Sequence, residues 1–153
     1  MNRFRARTIA AIFLFGVVSS TTAQTRFVVT SDGNEVLDRQ TGLTWLRCMV
    51  GAAMTQLGCT QTGQIYTHAE ALTVAKQTGV WRLPNLKELT SIVDEARIHP
   101  SIDQTAFPDP SQVYCWSSTP GRVGGINAWA VDFSDGAFFE YPRTNFACVR
   151  LVR

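Results

Sequence analysis

The stretch that decides the fold is YCWSSTPGRVGGINAWAVDF, residues 114–133. Two runs rich in aromatic and β-branched residues, 114–118 and 127–133, flank a connector that contains three glycines and an arginine. Runs of this composition, bounded by glycine, predict two strands joined by a surface loop at residues 119–126. In the second run Trp129, Val131 and Phe133 alternate with smaller or polar residues, which predicts that they share one face of the strand.

The rest of the chain predicts an α+β fold. Thr67 and Glu70 form a Thr-x-x-Glu capping box that begins one helix, and Gly79 ends it. Asn85 and Glu88 form a similar box for a second helix. Residues 96–112 contain three prolines and predict a long ordered loop. Further strands are predicted at RFVVT 26–30, NEVLD 34–38, TGLTWLRC 41–48, VWRL 80–83, AFFEY 137–141 and FACVRLV 146–152, with turns at Asp32–Gly33 and Asp135–Gly136. We expect two helices packed on a mainly antiparallel sheet.

The first 23 residues predict a secretory signal peptide. Three arginines precede an apolar run of eleven residues, TIAAIFLFGVV, and small residues then suit cleavage after Ala23. The mature chain, 24–153, would form one domain, exported to the periplasm or beyond, with no membrane span. Without the three arginines it has 11 basic and 12 acidic residues, so its net charge of −1 argues against a general nucleic-acid role.

All four cysteines lie in the predicted mature chain, and an even number in an exported protein predicts two disulfides. Three pairings are open. We favour Cys48–Cys59, which closes a glycine-rich loop, and Cys115–Cys148, which joins two strand-like runs. Zinc is disfavoured because the chain has no Cys-x-x-Cys pair.

No catalytic motif stands out. The sequence has no Gly-x-Ser-x-Gly elbow for a hydrolase and no EF-hand loop. His68, in the first turn of a helix, is expected to be exposed. No cofactor is predicted, although a calcium site that uses Asp103 or Asp109 is an open alternative.

Ligand-binding residues are sought in the loops at one end of the predicted sheet. The guanidinium group of arginine can form paired hydrogen bonds with sulfate, carboxylate or phosphate groups, and an exposed tryptophan can stack on a sugar. Core packing is nevertheless expected for most of the four tryptophans, with Trp116 the other candidate platform. The candidate ligand-binding residues are Arg122, Asn127, Trp129, Arg143 and Asn145.

Five segments together resemble the DUF1566 family, also called the Lcl C-terminal domain. They are DRQTGLTWLRC, GVWRLPNLKELTSIVD, FPDPSQVYCWSST, AWAVDFSDG and ACVRLVR, and they span residues 38–153. The resemblance implies a C-type lectin-like fold whose chain ends lie close together. It also implies adhesion and binding of sulfated glycosaminoglycans, although this chain lacks a collagen-like stalk and a basic mature charge. In the family motifs, Arg82 would neutralise a buried carboxylate, either Glu88 or Asp132.

We therefore expect an exported, non-enzymatic binding or adhesion module. Its partner would be an extracellular glycan or a protein, and a homo-oligomer is an open alternative. Two rival interpretations are a fold-related enzyme of the formylglycine-generating type, which would use cysteine chemistry, and an envelope protein that acts by self-assembly.

Overall fold

The structure is a computed structural model that describes residues 25–60, 63–109, 114–123 and 125–153. The predicted signal peptide, residues 1–23, lies outside the described residues. The elements are β1 (Phe27–Val29), β2 (Glu35–Asp38), β3 (Leu43–Leu46), β4 (Met54–Thr55), β5 (Gly58–Cys59), β6 (Ile65–Tyr66), α1 (His68–Gln77), α2 (Leu86–Ser91), β7 (Tyr114–Pro120), β8 (Asn127–Asp132), β9 (Phe138–Pro142) and β10 (Ala147–Cys148). This composition confirms the predicted α+β class.

The largest sheet has the strand order β6-β10-β7-β8-β9, and β7 is its central strand. Strands β7, β8 and β9 form an antiparallel meander, as predicted. The pair of β7 and β10 is parallel, with Cys115 opposite Cys148. The sheet is therefore mainly, but not wholly, antiparallel. Its parallel pair arises because the chain returns from the edge strand β9 to lie beside β7 on the other side.

A second sheet, β1-β2-β3, holds the C-terminal segment in place. The Thr44 amide donates to the Arg153 carbonyl, and the Arg153 amide donates back to Thr44, both at 2.9 Å. Val152 also bridges to Trp45 and to Arg82. The two predicted strands 146–152 and 80–83 are thus largely wrong, because only Ala147–Cys148 is a strand and residue 82 contributes a single bridge. These backbone groups pair with the β3 segment and with each other rather than with a long ladder.

Both helices begin where the capping residues predict. The Thr67 hydroxyl accepts from the Glu70 amide while the Glu70 carboxylate accepts from the Thr67 amide. Asn85 and Glu88 make the same reciprocal pair at α2. Each box satisfies backbone donors that the first helical turn leaves without a partner.

The two helices occupy opposite sides of the large sheet, and each side has its own hydrophobic cluster. The cluster on the α2 side contains Leu89, Val131 and Phe133. The cluster on the α1 side contains Ala71, Trp116 and the two β8 alanines at positions 128 and 130. Odd-numbered and even-numbered residues of β8 therefore face different clusters, as the predicted alternation requires.

Both predicted disulfides are present and account for all four cysteines. Cys48–Cys59 ties the loop that contains the short β4–β5 hairpin. Cys115–Cys148 joins β7 to β10, with the two Cα atoms 4.4 Å apart. Closing these loops restricts the unfolded chain, which stabilises the fold by about 2–4 kcal/mol for a typical bond.

The predicted turn at Asp135–Gly136 connects β8 to β9 under the α2 side. Gly136 has φ +83°, and a Cβ added there would lie 2.7 Å from Cγ1 of Val93. Glycine is therefore required at this position by backbone conformation and by space.

We predict that Gly136→Ala lowers the free energy of unfolding by about 2 kcal/mol or more, because backbone strain and overpacking add. Gly42→Ala is the matched control, since Gly42 has φ +74° but a Cβ there meets nothing within 4 Å. The control should cost only about 1 kcal/mol. Urea denaturation of both variants measures the difference, and equal losses would contradict the steric part of the argument.

Candidate functional site

The loops expected to carry function meet at one end of the large sheet. The pairing of Asn127 with Pro142 places the β7–β8 connector beside the turn that follows β9. The Arg143 amide donates to the Ile126 carbonyl at 2.9 Å, and the Gly121 amide donates to the Asn127 carbonyl at the same distance. The prediction that these loops lie together at one end of the sheet is confirmed.

Arg122 projects from the connector and lies over a tryptophan. Its guanidinium carbon is 5.1 Å from the centroid of the Trp129 ring. The Arg122 backbone amide donates to Oε1 of Glu140 at 3.1 Å, and its side-chain Nε lies 3.5 Å from the same oxygen. The arginine side chain is 76% exposed, so most of its hydrogen-bonding capacity faces solvent.

Asn127 and Arg143 complete this group through Glu140 and the backbone. Nδ2 of the Asn127 side chain donates to Oε2 of Glu140 at 3.4 Å. Arg143 donates from Nε to the Asn127 carbonyl at 3.0 Å. Asn145 lies in the adjoining turn, where its backbone amide donates to the Pro142 carbonyl. We call Arg122, Asn127, Trp129, Glu140 and Arg143 the arginine site.

Glu140 is the member of the arginine site that the sequence analysis missed. It is a lone carboxylate in the aromatic run AFFEY, and it lies directly opposite Trp129 in the β8–β9 ladder. Cross-strand neighbours on one face are close enough to interact. The strand register, once known, would therefore have identified Glu140.

The sheet behind the site is fixed by the motif WSST. The register of β7 against β8 shifts between Trp116 and Pro120, so residues 117–119 bond to other partners. The Ser118 amide donates to the Pro84 carbonyl at 2.7 Å. Oγ1 of Thr119 accepts from the Leu86 amide, in the first turn of α2, at 2.9 Å. Pairing with β8 resumes at Pro120, opposite Ala128, so β7 runs to Pro120 and residues 119–120 belong to the strand, not to the predicted loop.

His68 is buried, so the expectation that it is exposed is wrong. Its Nε2–H donates to the Ser117 carbonyl at 3.0 Å, and its ring meets Trp116 edge-on. Burial lowers the pKa of His68, the bond to Ser117 opposes this, and the charge of Arg143 lowers it further. The first turn of α1 therefore holds the imidazole against β7, where burial disfavours its protonated form.

The two aspartates considered for calcium have other partners. Asp109 is buried and accepts from Arg150 at 2.7 Å and from the Met49 amide at 3.2 Å. Asp103 accepts from the amides of Thr105 and Ala106 and so shapes a turn. In the described ranges, the one metal-like grouping joins Asp109 to Cys48 and Cys59, but the sulfurs of that cysteine pair are bonded to each other.

Arg82 forms a bidentate pair with Glu88, one of its two predicted partners, with both distances 2.7 Å. The expected burial of the carboxylate is wrong, because Glu88 is only partly buried and the pair lies at the surface rather than in the core. The Arg82 guanidinium, partly opposed by burial, holds the pKa of Glu88 below its usual value.

Trp45 and Trp116 are fully buried, as expected of core residues, whereas Trp129 remains half-exposed.

The fold and the site define a disulfide-tied α+β domain whose loops converge on an exposed arginine above a half-exposed tryptophan. The model of the Lcl C-terminal domain matches residues 34–153, and the chain belongs to that family. No curated protein matches the chain. Neither helix in the described part of the chain has the length and apolar character needed to cross a bilayer.

The bond between Thr119 and Leu86 can be tested by a nearly isosteric change. Thr119→Val should lower the free energy of unfolding by about 1–3 kcal/mol, because a partly buried helix amide loses its acceptor. Thr119→Ser keeps the hydroxyl and should recover most of that loss. Chemical denaturation compares the two variants, and equal destabilisation would show that the methyl group, rather than the hydroxyl, matters.

The buried His68 predicts a pH dependence of stability. Its folded pKa lies below the ordinary value, so the unfolded state binds a proton first as the pH falls. The free energy of unfolding should therefore decline on acidification from about pH 6.5 towards the lower folded pKa. Denaturation at several pH values should show this decline reduced in His68→Gln. The exposed His99→Gln variant is the control and should retain it.

Proposed function

We propose that this protein is an exported, non-enzymatic binding module that recognises an extracellular ligand, a glycan or a protein, through the arginine site. The observation that supports the proposal most is the position of Arg122. The other ion-paired arginines in the described part of the chain are 3–50% exposed, whereas Arg122 is 76% exposed and lies above an aromatic ring. A planar guanidinium in this position can bind sulfate or carboxylate groups in a bidentate manner.

Glu140 gives the site a definite electrostatic character. It holds the Arg122 backbone and Asn127, but its contact with the Arg122 side chain is long at 3.5 Å. An anionic group of a ligand would compete with this weak internal partner. We infer that the site favours acidic or sulfated glycans and that Glu140 limits their affinity.

The scaffold supports this role. Two helices, a mainly antiparallel sheet and a C-terminal segment paired with β3 agree with the C-type lectin-like architecture that the family resemblance implies. Two disulfides suit an oxidising compartment, which supports export. All four cysteines form disulfides, so the structure offers no free thiol for the cysteine chemistry that the rival enzyme hypothesis needs.

The test is a glycan-array screen of the mature chain at two salt concentrations. Binding to acidic or sulfated glycans should weaken steeply as salt rises. Arg122→Ala should reduce this binding about tenfold, whereas Glu140→Gln should strengthen it by removing the competing charge. Binding indifferent to salt, or unaffected by Arg122→Ala, would contradict the proposal.

Arg153→Ala is the matched control for Arg122→Ala. Arg153 also lies over a tryptophan, with its guanidinium carbon 4.9 Å from the Trp81 centroid, and it also pairs with a glutamate, Glu35. The control removes the same charge and the same kind of contact at another place. It should leave glycan binding unchanged, so any equal loss would indicate a general charge effect.

A further inference from the structure

A groove on the other face of the large sheet is lined by exposed aromatic and aliphatic side chains around a carboxylate. Its volume is about 340 Å³, and its walls come from Ile65, Tyr114, Asp132, Ser134, Tyr141 and Phe146. Ile65 and Phe146 are each 55% exposed, and Tyr114 is 40% exposed. Ligand pockets are commonly clefts of about 300–1,000 Å³ with an apolar lining and a few polar groups.

The aromatic wall is rigid because its rings pack on one another. Tyr114 meets Phe139 edge-on at 5.1 Å between centroids and Tyr141 at 5.5 Å. Tyr141 also rests against the buried Trp116 at 5.3 Å. A cluster held in this way presents its outer ring faces with little loss of conformational entropy on binding.

The polar wall is formed by Asp132 and Ser134, at the end of β8. One oxygen of Asp132 accepts from the Ser134 amide at 2.8 Å, which fixes the carboxylate at the edge of the groove. Asp132 is the one charged side chain among the described residues that line this groove. The groove therefore repels sulfates and carboxylates, while a carboxylate accepts strong hydrogen bonds from hydroxyl groups.

We propose that this groove binds a neutral saccharide, with a pyranose ring against the aromatic wall and its hydroxyl groups on Asp132 and Ser134. The ring offers apolar C–H faces to aromatic carbon and hydroxyl donors to the acidic edge. This pairing of apolar and polar surfaces matches both walls of the groove, whereas a purely apolar partner would leave Asp132 desolvated without hydrogen bonds.

The groove is separate from the arginine site. Asp132 and Trp129 are three residues apart on β8, so their side chains point to opposite faces of the sheet. The two sites also differ in charge, since one presents a guanidinium and the other a carboxylate. Neutral saccharide binding therefore goes beyond the proposed function and can succeed or fail independently of it.

The test is saturation-transfer-difference NMR of the mature chain with three neutral probes: cellotetraose, maltotetraose and mannotetraose. At least one probe should bind, and Phe146→Ser and Asp132→Asn should each weaken its binding about fivefold or more. Phe138→Ser is the matched control, because Phe138 is exposed to the same extent, 56%, but lies elsewhere on the sheet. It should leave binding unchanged.

Three results would overturn the proposal. They are the absence of binding by all three probes, equal losses in Phe146→Ser and Phe138→Ser, and retained binding in Phe146→Ser with a native thermal unfolding profile. Arg122→Ala should leave the neutral probe bound. Loss of acidic-glycan binding in that variant with retention of neutral binding would support both sites, whereas the failure of acidic glycans alone would overturn only the arginine site.

Discussion

The structure depends on a break in the β7–β8 ladder at residues 117–119. In a regular strand the backbone N–H and C=O groups of these residues would form hydrogen bonds with neighbouring strands. Here the register shifts, and the Ser118 amide bonds to Pro84 while the Ser117 carbonyl accepts from His68. The Thr119 hydroxyl also accepts from the Leu86 amide at the start of α2, so both helices are hydrogen-bonded to the same three residues of the central strand. The break costs regular pairing, but it fixes α1 on one side of the sheet and α2 on the other.

Local features of the fold could be predicted from the sequence because short segments determine them. The two capping boxes, the turn at Asp135–Gly136 and both disulfides depend on residue type and spacing, and all of them are present. The errors concern long-range partners. Its position in the first turn of a helix predicts that His68 is exposed. It is buried because it contacts Ser117, which lies 49 positions away in the sequence. Likewise, the strand-like run 146–152 pairs irregularly with distant segments.

The same distinction applies to the sites. An arginine in the glycine-rich connector and a tryptophan in the strand that follows it indicated the arginine site, because their residue types suit ligand contacts without regard to register. Glu140 could not be found in this way, since its role depends on the strand pair that places it opposite Trp129. The aromatic groove was missed for a related reason. Ile65, Tyr114 and Phe146 belong to three separate segments, and only the strand order brings them together.

Small residues on β8 explain how one sheet can present two different surfaces. Ala130 is paired with Trp116 on one side and with Phe139 on the other, and it is fully buried. A methyl group at this position lets large rings from β7 and β9 approach each other across β8, which builds the aromatic wall on the even-numbered face. On the odd-numbered face Trp129 lies beyond the α2 cluster and stays half-exposed. Because the two faces use alternate residues of one strand, the exposed residues of either can change without disturbing the buried residues of the other.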